Sequence, residues 1–278
     1  MVVLQLDELL RMSLQEDLGH GDVTSLAVVD DSLVADATVV AREPLVLSGS
    51  LPFRRVFGLL DPLVSVELSA HDGASIERDQ RFIRLTGSAR SLLAGERTAL
   101  NLLQRLCGIA TLTRRMAEAI AGTQCRLLDT RKTTPLWRLL EKEAVRHGGG
   151  SNHRFGLSDG ILIKDNHVAA AGGVSPAVQR ARFHAPHGLK VEVEVDTLDQ
   201  FEEAMGAGAD IILLDNFSLD LIREAVSKAN GRCLLEVSGG VTLENIRGIA
   251  ETGVDFVSSG ALTHSARAMD ISMELHLH

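Results

Sequence analysis

The segment KVEVEVDTLDQFEEAMGAGADIILLDN, residues 190–216, has two apolar runs on either side of a helical pattern. The runs 190–196 and 210–216 have the length of buried strands, and the intervening 197–207 has the spacing of an amphipathic helix. Two strands joined by a helix are parallel, because a parallel pair needs a long crossover connection. The segment therefore predicts one βα unit of an α/β fold.

The same pattern recurs along the second half of the chain. Successive strand ends at Glu194, Asp215, Glu236 and Ser258 lie about 21–22 residues apart, the length of one compact βα unit. Buried strands with polar ends are typical of an α/β barrel, whose active site forms at the carboxyl ends. About six strands are visible, so we expect an irregular or incomplete barrel; a doubly wound open sheet is the alternative, although no G-x-G-x-x-G follows a strand. The other predicted strands are 125–132, 160–167, 233–240 and 255–261.

The first hundred residues follow a different rhythm and predict an N-terminal α+β domain. Leucines at helical spacing stop at Gly19, and a later helix over 91–121 is expected to be interrupted at Gly95 and Gly108. Strands are predicted over 33–47, 63–69 and 74–86. The predicted domains are 1–110 (α+β domain, carrying a pocket lid and dimer contacts), 111–265 (barrel with the catalytic site) and 266–278 (a segment packing back on the first domain).

Composition limits the class of protein. The 278 residues are 45% hydrophobic with a net charge of −9, which argues against a nucleic-acid or anionic-membrane surface. The three cysteines are far apart and form no C-x-x-C pair, so we expect buried, reduced thiols. No signal peptide or membrane-spanning apolar run is recognisable. We expect a cytoplasmic protein.

A basic stretch at 129–167 runs against the acidic composition. Within it, Arg138, Lys142 and Arg146 follow helical spacing beside acidic residues, which predicts a solvated helix face. Four other cations occupy strand ends or glycine-rich loops, where they would bind a ligand with several carboxylates or phosphates. They are Arg131, Lys132, Arg154 and Lys164.

Acidic residues and glycines at the strand ends complete the candidate site. Glu194 and Asp215 could hold Mg²⁺ beside a diphosphate, accept ribose hydroxyls, stabilise a developing cation, or simply neutralise nearby lysines. The glycine turns at 238–240 and 259–261 follow the last two strands, a position that often binds phosphate in barrels, although they could be plain βα turns. No G-x-S-x-G elbow is present, and the histidine spacing does not fit a zinc site.

Nine segments, in order along nearly the whole chain, resemble the quinolinate phosphoribosyltransferase family. Any one of them is modest evidence, but their common register is specific. They are EDLGHGDVTS (16–25), ERTALNLLQRLCGIAT (96–111), DTRKT (129–133), EKEAVRHGGGSNHR (141–154), IKDNH (163–167), VEVEVD (191–196), ILLDNF (212–217), EVSGGV (236–241) and GALTHS (260–265).

The resemblance implies a pentosyltransferase of de novo NAD synthesis. Such an enzyme transfers the phosphoribosyl group of 5-phosphoribosyl-1-pyrophosphate to quinolinate with Mg²⁺, and releases pyrophosphate and carbon dioxide to give nicotinate mononucleotide. It also implies a homodimer with shared active sites, or a higher oligomer built from it, in which Arg97 reaches the partner's pocket. By motif, the catalytic residues would be Lys132, Lys164, Glu194 and Asp215, with Glu194 and Asp215 at the metal. The substrate-binding residues would be Arg97, Thr130, Arg131, Lys132, His153, Arg154, Lys164, Glu194, Asp215, Ser238, Gly239, Gly240, Ser259, Gly260 and Ala261.

The sequence leaves three alternative functions open. A paralogous phosphoribosyltransferase-like protein linked to molybdenum uptake is disfavoured by the NHR and IKDNH forms. A Schiff-base lyase would use Lys164 as its nucleophile. A binding or regulatory protein that has lost catalysis would be expected to lack a strand-end residue. Trp137, Glu143 and Cys107 depart from the family pattern, and all three lie outside the predicted strand-end site.

Overall fold

The computed structural model describes residues 2–277, with side chains from residue 5 onward. It divides into two compact units. The first contains the chain up to Leu112, the segment Pro135–Gly149 and the chain from Ala266 on. The second contains Thr113–Thr134 and Gly150–Ser265. The insertion of Pro135–Gly149 into the first unit differs from the continuous barrel range 111–265 read from the sequence.

The first unit is built on an antiparallel sheet in the order β12-β1-β5-β3. Its central strand β1, Val34–Ala41, pairs on one side with the C-terminal strand β12, Ile271–His276. Both neighbours of β1 run antiparallel to it, and its alanines and valines are almost all buried. The remaining elements of this unit are α1 (Val2–Leu18), α2 (Val23–Val28), β2 (Leu45–Val46), α3 (Ser50–Leu60), β3 (Ser65–Leu68), β4 (Ser75–Ile76) and β5 (Arg81–Ser88).

The long helix α4, Ala89–Ala119, is continuous, so the predicted interruptions at Gly95 and Gly108 are wrong. These glycines serve close packing instead. A Cβ on Gly108 would lie 3.0 Å from the carbonyl carbon of Arg267, and closer still to its oxygen. A Cβ on Gly95 would lie 2.7 Å from the ring of Phe57. No helix among residues 2–277 is long and apolar enough to cross a membrane.

The predicted solvated basic face lies on helix α5, Arg138–His147, and the prediction is wrong for part of this helix. Lys142 is only 3% exposed, and its neighbour Glu141 is 1% exposed. Glu141 forms an ion pair with Arg105 of α4, with 3.1 Å between Oε1 and Nη2. Arg146 does fit the prediction, since it is exposed and pairs with Glu143 one turn earlier. Spacing identified the charged residues of this helix, but burial of two of them depends on the rest of the unit.

The second unit contains six parallel strands in the order β6-β11-β10-β9-β8-β7, which confirms the α/β class. The first and second strands of the unit along the chain are the two edges of this sheet. The strands are β6 (Arg126–Leu128), β7 (Ile161–Ile163), β8 (Val191–Val195), β9 (Ile211–Asp215), β10 (Leu234–Ser238) and β11 (Phe256–Ser258). The helices are α6 (Asp165–Ala171), α7 (Val174–His184), α8 (Leu198–Gly206), α9 (Leu219–Ala229), α10 (Ile246–Ala250) and α11 (Ala261–His264).

The sheet curves strongly, as an incomplete barrel requires. In a flat sheet, strands about 4.8 Å apart would separate the two edges by roughly 24 Å. Here residues on each of the six strands, or within two positions of its carboxyl end, line one cavity. The period-2 alternation of β8 directs Val191, Val193 and Val195 to one buried face and Glu192 and Glu194 to the opposite face. The cavity-facing side of the sheet is therefore unusually rich in acidic residues.

Candidate active site

A cavity of about 720 Å³ lies at the carboxyl ends of the six parallel strands. It contains side chains of both charges together with two glycine turns, so it suits a ligand that carries several charged groups. The lining residues are Thr130, Arg131, Lys132, His153, Arg154, Leu162, Lys164, Glu194, Leu213, Asp215, Asn216, Glu236, Ser238, Gly239, Gly240, Val241, Thr242, Ser258, Ser259, Gly260, Ala261 and His264.

The cavity brings together every predicted substrate-binding residue except Arg97. Arg97 is exposed on α4 in the first unit, and its role in a partner's pocket stays a prediction. The convergence is informative because the residues come from strands and loops far apart in sequence.

The loop that carries His153 and Arg154 is anchored to the end of β6 by Asp129. The Asp129 carboxylate is fully buried and accepts hydrogen bonds from Asn152 Nδ2 (2.6 Å) and from the backbone N–H of His153 (2.8 Å). Arg154 Nη1 donates to the carbonyl of Gly160 at 3.0 Å. The loop thus holds its two cavity-facing side chains through bonds to buried or backbone partners.

Arg154 has a buried Nε–H with no hydrogen-bond partner among the described residues. Burial, and then the neighbouring cation Arg131, lower the pKa of Arg154. Two guanidinium groups that repel one another, one with an unused buried donor, favour an anion between them. A carboxylate is the natural partner, because it accepts hydrogen bonds from an Arg in a bidentate manner.

The His153 ring already has a partner at each nitrogen. Its Nδ1 accepts the backbone N–H of Arg154 at 2.7 Å, so that nitrogen carries a lone pair and the hydrogen of the neutral ring lies on Nε2. Nε2 is 3.1 Å from Glu192 Oε2 and 3.7 Å from Glu236 Oε2. Direct contact between a ring nitrogen and substrate would require one of these bonds to break. The predicted contact of His153 with quinolinate stays a prediction.

Glu192 and Glu236 are two buried glutamates whose carboxyl groups lie next to His153 Nε2. The two residues are 5% and 1% exposed, and one oxygen of each has no hydrogen-bond partner among the described residues. Burial, reinforced by the Glu192 charge, raises the pKa of Glu236 to about 7. Glu236 therefore retains its proton well above the range of an ordinary glutamate.

The three side chains His153, Glu192 and Glu236 lie close enough to share one metal ion. Mg²⁺, however, prefers oxygen ligands and keeps several of its waters, which suits an open pair of carboxylates beside a diphosphate better than a buried site with a histidine.

Glu194 and Asp215, on adjacent strands, are that more open pair. Burial, and then the charge of Glu194, raise the pKa of Asp215. Two carboxylates that repel each other at the cavity wall would be stabilised by a cation between them. Lys164 supplies part of that charge, since its Nζ lies 2.9 Å from Glu194 Oε2. The donor set is compatible with Mg²⁺, and its presence stays a prediction.

The two glycine turns form the wall after β10 and β11. Gly239 and Gly240 both have left-handed backbones, with φ of +86° and +58°, which glycine adopts without steric cost. Asn245 stabilises this turn, because its Nδ2 donates to the carbonyl of Gly240 at 2.9 Å. At the second turn, a Cβ on Gly260 would lie 2.8 Å from the side chain of Lys132, so glycine permits that close approach.

Several lining residues were not predicted as site residues. Period-2 alternation could have indicated Glu236, which is two residues before Ser238 on the same strand face. Asn216 and His264 fall inside quoted motifs, but nothing local distinguishes them from loop residues. The remaining unpredicted lining residues are Leu162, Leu213, Val241, Thr242 and Ser258.

A parallel α/β sheet whose carboxyl ends surround a glycine-edged cavity with side chains of both charges has the architecture of an α/β enzyme that binds small charged substrates. Family models described as the N-terminal and C-terminal domains of quinolinate phosphoribosyl transferase match residues 22–107 and 109–274. The chain therefore belongs to the quinolinate phosphoribosyltransferase family.

Individual relatives agree with the family match. The chain is 44% identical to the probable nicotinate-nucleotide pyrophosphorylase [carboxylating] of Bacillus subtilis, covering 99% of this chain and 94% of that protein. It is also 44% identical to the nicotinate-nucleotide pyrophosphorylase [carboxylating] of Mycobacterium leprae, covering 96% and 95%. A solved structure of NadC from Streptococcus pyogenes superposes with a TM-score of 0.95 at 44% identity, covering 99% and 98%.

Proposed function

We propose that this protein transfers the phosphoribosyl group of 5-phosphoribosyl-1-pyrophosphate to quinolinate and releases pyrophosphate and carbon dioxide, giving nicotinate mononucleotide for NAD synthesis. The observation that carries the proposal is the convergence of cations, paired carboxylates and two glycine turns in one cavity of a chain that matches the family throughout. Quinolinate is a dicarboxylate, and phosphoribosyl pyrophosphate carries a phosphate and a diphosphate on one ribose. Both are polyanions, and the cavity suits them.

Quinolinate would bind among Arg131, Arg154 and Lys164. The unused Nε–H of Arg154 and the repulsion between Arg154 and Arg131 would both be satisfied by a carboxylate. Two adjacent carboxylates on a flat ring need two directional cationic partners, which the arginines supply. Lys164 acts as a charge clamp.

Phosphoribosyl pyrophosphate would bind on the opposite wall. The turns containing Gly239 and Gly260 would hold the 5′-phosphate, and Lys132 would lie near the pyrophosphate. Glu194 and Asp215 would face the ribose hydroxyls and hold Mg²⁺, whose charge would neutralise the diphosphate and favour its departure. Each carboxylate also provides negative charge at the sugar.

The chemistry follows from these positions. As the bond between ribose C1 and pyrophosphate breaks, positive charge develops on the ribosyl group, and Glu194 and Asp215 stabilise it electrostatically. The quinolinate nitrogen then forms the new bond to C1. The positive charge now on the ring nitrogen stabilises the electron pair that stays on the neighbouring ring carbon when the 2-carboxylate departs as carbon dioxide. Solvent supplies the proton that takes its place on the ring. No side chain is needed as a general base.

We also propose a homodimer, or a higher oligomer built from it, in which Arg97 of one subunit completes the other's site. The exposure of Arg97 on α4 leaves its guanidinium accessible to such a partner. A subunit with Arg97→Ala mixed with one carrying Lys164→Ala should regain part of the activity, since one intact site forms per mixed dimer. Heterodimers without recovered activity would contradict the shared site.

A cytoplasmic location is proposed from the cysteines. Cys107, Cys125 and Cys233 are all unpaired, as expected in a reducing compartment.

The lyase alternative is disfavoured by the contact of Lys164. Its ammonium is paired with Glu194, whereas a Schiff-base nucleophile must be a neutral amine. Borohydride treatment with a carbonyl compound should leave no adduct on Lys164, and a trapped adduct would support the lyase.

The direct test supplies the purified protein with quinolinate, phosphoribosyl pyrophosphate and Mg²⁺ and measures nicotinate mononucleotide and carbon dioxide. Lys164→Ala should lose most of the activity. Lys190→Ala is the matched control, because Lys190 is also exposed but lies at the amino end of β8, away from the cavity. No product from folded, dimeric protein would refute the proposed function.

A further inference from the structure

Asn216 directly follows β9, lines the cavity and has a left-handed backbone. Its φ of +55° lies in the left-handed region, where side chains other than glycine are uncommon and asparagine is among the best tolerated. Left-handed backbone at a non-glycine residue persists where its surroundings require it, and such positions cluster at functional sites.

Three interactions of Asn216 connect the ends of two neighbouring strands. Its Nδ2 donates to Asp215 Oδ2 at 2.8 Å. Its backbone N–H donates to the carbonyl of Ser238, at the end of β10, at 3.2 Å. Its side chain also packs against Gly239, since a Cβ added there would lie 2.7 Å from Asn216 Cγ. One residue therefore contacts both the cavity carboxylate and the first glycine turn.

We propose that Asn216 is a positioning residue that sets the Asp215 carboxylate and the turn at Ser238 and Gly239 in one arrangement. The proposal rests on the proposed function, in which these two groups hold the ribose and the 5′-phosphate of the same substrate. A phosphorylated ribose allows only a limited range of distances between its hydroxyls and its phosphate, because a short chain of bonds joins them. A link between the two protein groups would hold them within that range before the substrate arrives.

The chemistry of the amide explains why asparagine suits this position. Aspartate has the same shape and also tolerates the left-handed backbone, but it would present a carboxylate oxygen to Asp215 in place of the donor. Glycine would keep the backbone conformation and lose the amide altogether. The variants Asn216→Asp and Asn216→Gly therefore separate the role of the side chain from that of the backbone.

Asn230 provides the matched control. It is also a left-handed asparagine, with φ of +44°, but it ends helix α9 on an exposed surface and does not line the cavity. Asn230→Asp makes the same chemical change at the same kind of backbone position, but Asn230 does not lie beside Asp215 or the turn at Ser238 and Gly239.

The experiment measures binding and turnover in wild type, Asn216→Asp, Asn216→Gly and Asn230→Asp. Isothermal titration with ribose 5-phosphate reports on the linked groups without requiring turnover, and titration with quinolinate reports on the arginine side of the cavity. Asn216→Asp should weaken ribose 5-phosphate binding and lower kcat/KM for phosphoribosyl pyrophosphate by about tenfold or more, as expected when a hydrogen bond to a charged group is replaced by repulsion. Asn216→Gly should lose less, and Asn230→Asp should match wild type.

Quinolinate affinity decides between positioning and general damage. It should stay within about twofold of wild type in every variant, since a twofold change corresponds to less than about 0.5 kcal/mol. Equal losses of quinolinate and ribose 5-phosphate affinity in Asn216→Asp would overturn the proposal. So would a ribose 5-phosphate affinity of Asn216→Asp that is the same as that of Asn230→Asp. If the wild type binds ribose 5-phosphate but forms no nicotinate mononucleotide, the proposed function fails while the binding comparison still tests the role of Asn216.

Discussion

The buried carboxyl of Glu236 should make the stability of this protein fall as pH rises. In the folded state its pKa is raised from 4.5 to about 7, chiefly by burial and then by the charge of Glu192. Below the pKa of the unfolded chain the group is protonated in both states and adds no pH dependence. Between these two values the unfolded chain releases its proton while the folded protein keeps it, so the free energy of unfolding falls with increasing pH.

The magnitude follows from the displacement of the pKa. Each tenfold change in the ionisation constant corresponds to about 1.4 kcal/mol, so a move from 4.5 to about 7 gives about 3 kcal/mol, reached above pH 7. The substitution Glu236→Gln removes the titration and keeps the size of the side chain. Relative to wild type, the variant should therefore gain about 3 kcal/mol in free energy of unfolding between pH 4.5 and pH 8.

Urea denaturation of wild type and Glu236→Gln at several pH values between 4.5 and 8 measures this difference. Glu16→Gln, a change at an exposed carboxyl of α1, is the control for charge removal. Glu192→Gln should also reduce the pH dependence, because the Glu192 charge contributes to the raised pKa. A difference between wild type and Glu236→Gln that stays constant with pH, or that changes in the opposite direction, would refute the reasoning.

Three further results are expected. Arg131→Ala should weaken quinolinate binding far more than phosphoribosyl pyrophosphate binding in titration calorimetry, and equal losses would contradict its assignment to the dicarboxylate. Gly108→Ala should lower the free energy of unfolding by about 1–3 kcal/mol, because its Cβ would overlap the backbone of Arg267. The control Gly58→Ala, in an open helical position, should instead raise it by about 0.5–1 kcal/mol, and similar effects of the two changes would refute the packing explanation. The Cys107 thiol, with its pKa raised to about 12 by burial, should resist alkylation at pH 8 until the protein is unfolded; labelling of the folded protein, followed by mass spectrometry, checks this.

Local patterns predicted the strands of the second unit well. A strand of five residues with alternating side chains, such as β8, and a spacing of one βα unit are properties of the chain itself, so they can be read without contacts. The same patterns failed where packing decides. In the sequence, Gly95 and Gly108 look like helix interruptions. In the structure the helix is continuous, and the absence of a side chain at each glycine lets a neighbouring group pack closely against it.

The charged residues also divide into those that local pattern predicts and those whose environment depends on packing. Helical spacing predicted a solvated face at α5, yet Lys142 is buried, because exposure depends on what packs against the helix as well as on its own pattern. The gathering of the strand-end residues around one cavity was predictable, because parallel strands place their carboxyl ends at one edge of the sheet. The contact between His153, Glu192 and Glu236 was not, because it requires a loop and two strands that are not neighbours in the sheet.

The sequence by itself determined which residues end the strands, which of them carry charge, and the family to which their motifs belong. These properties depend on residue identity and on spacing over short distances. Only the tertiary structure decided the curvature that gathers six strands around one cavity, the hydrogen bonds that occupy both nitrogens of His153, and the raised pKa of Glu236. These depend on desolvation and on charges brought close by residues distant in the chain, which no local pattern contains.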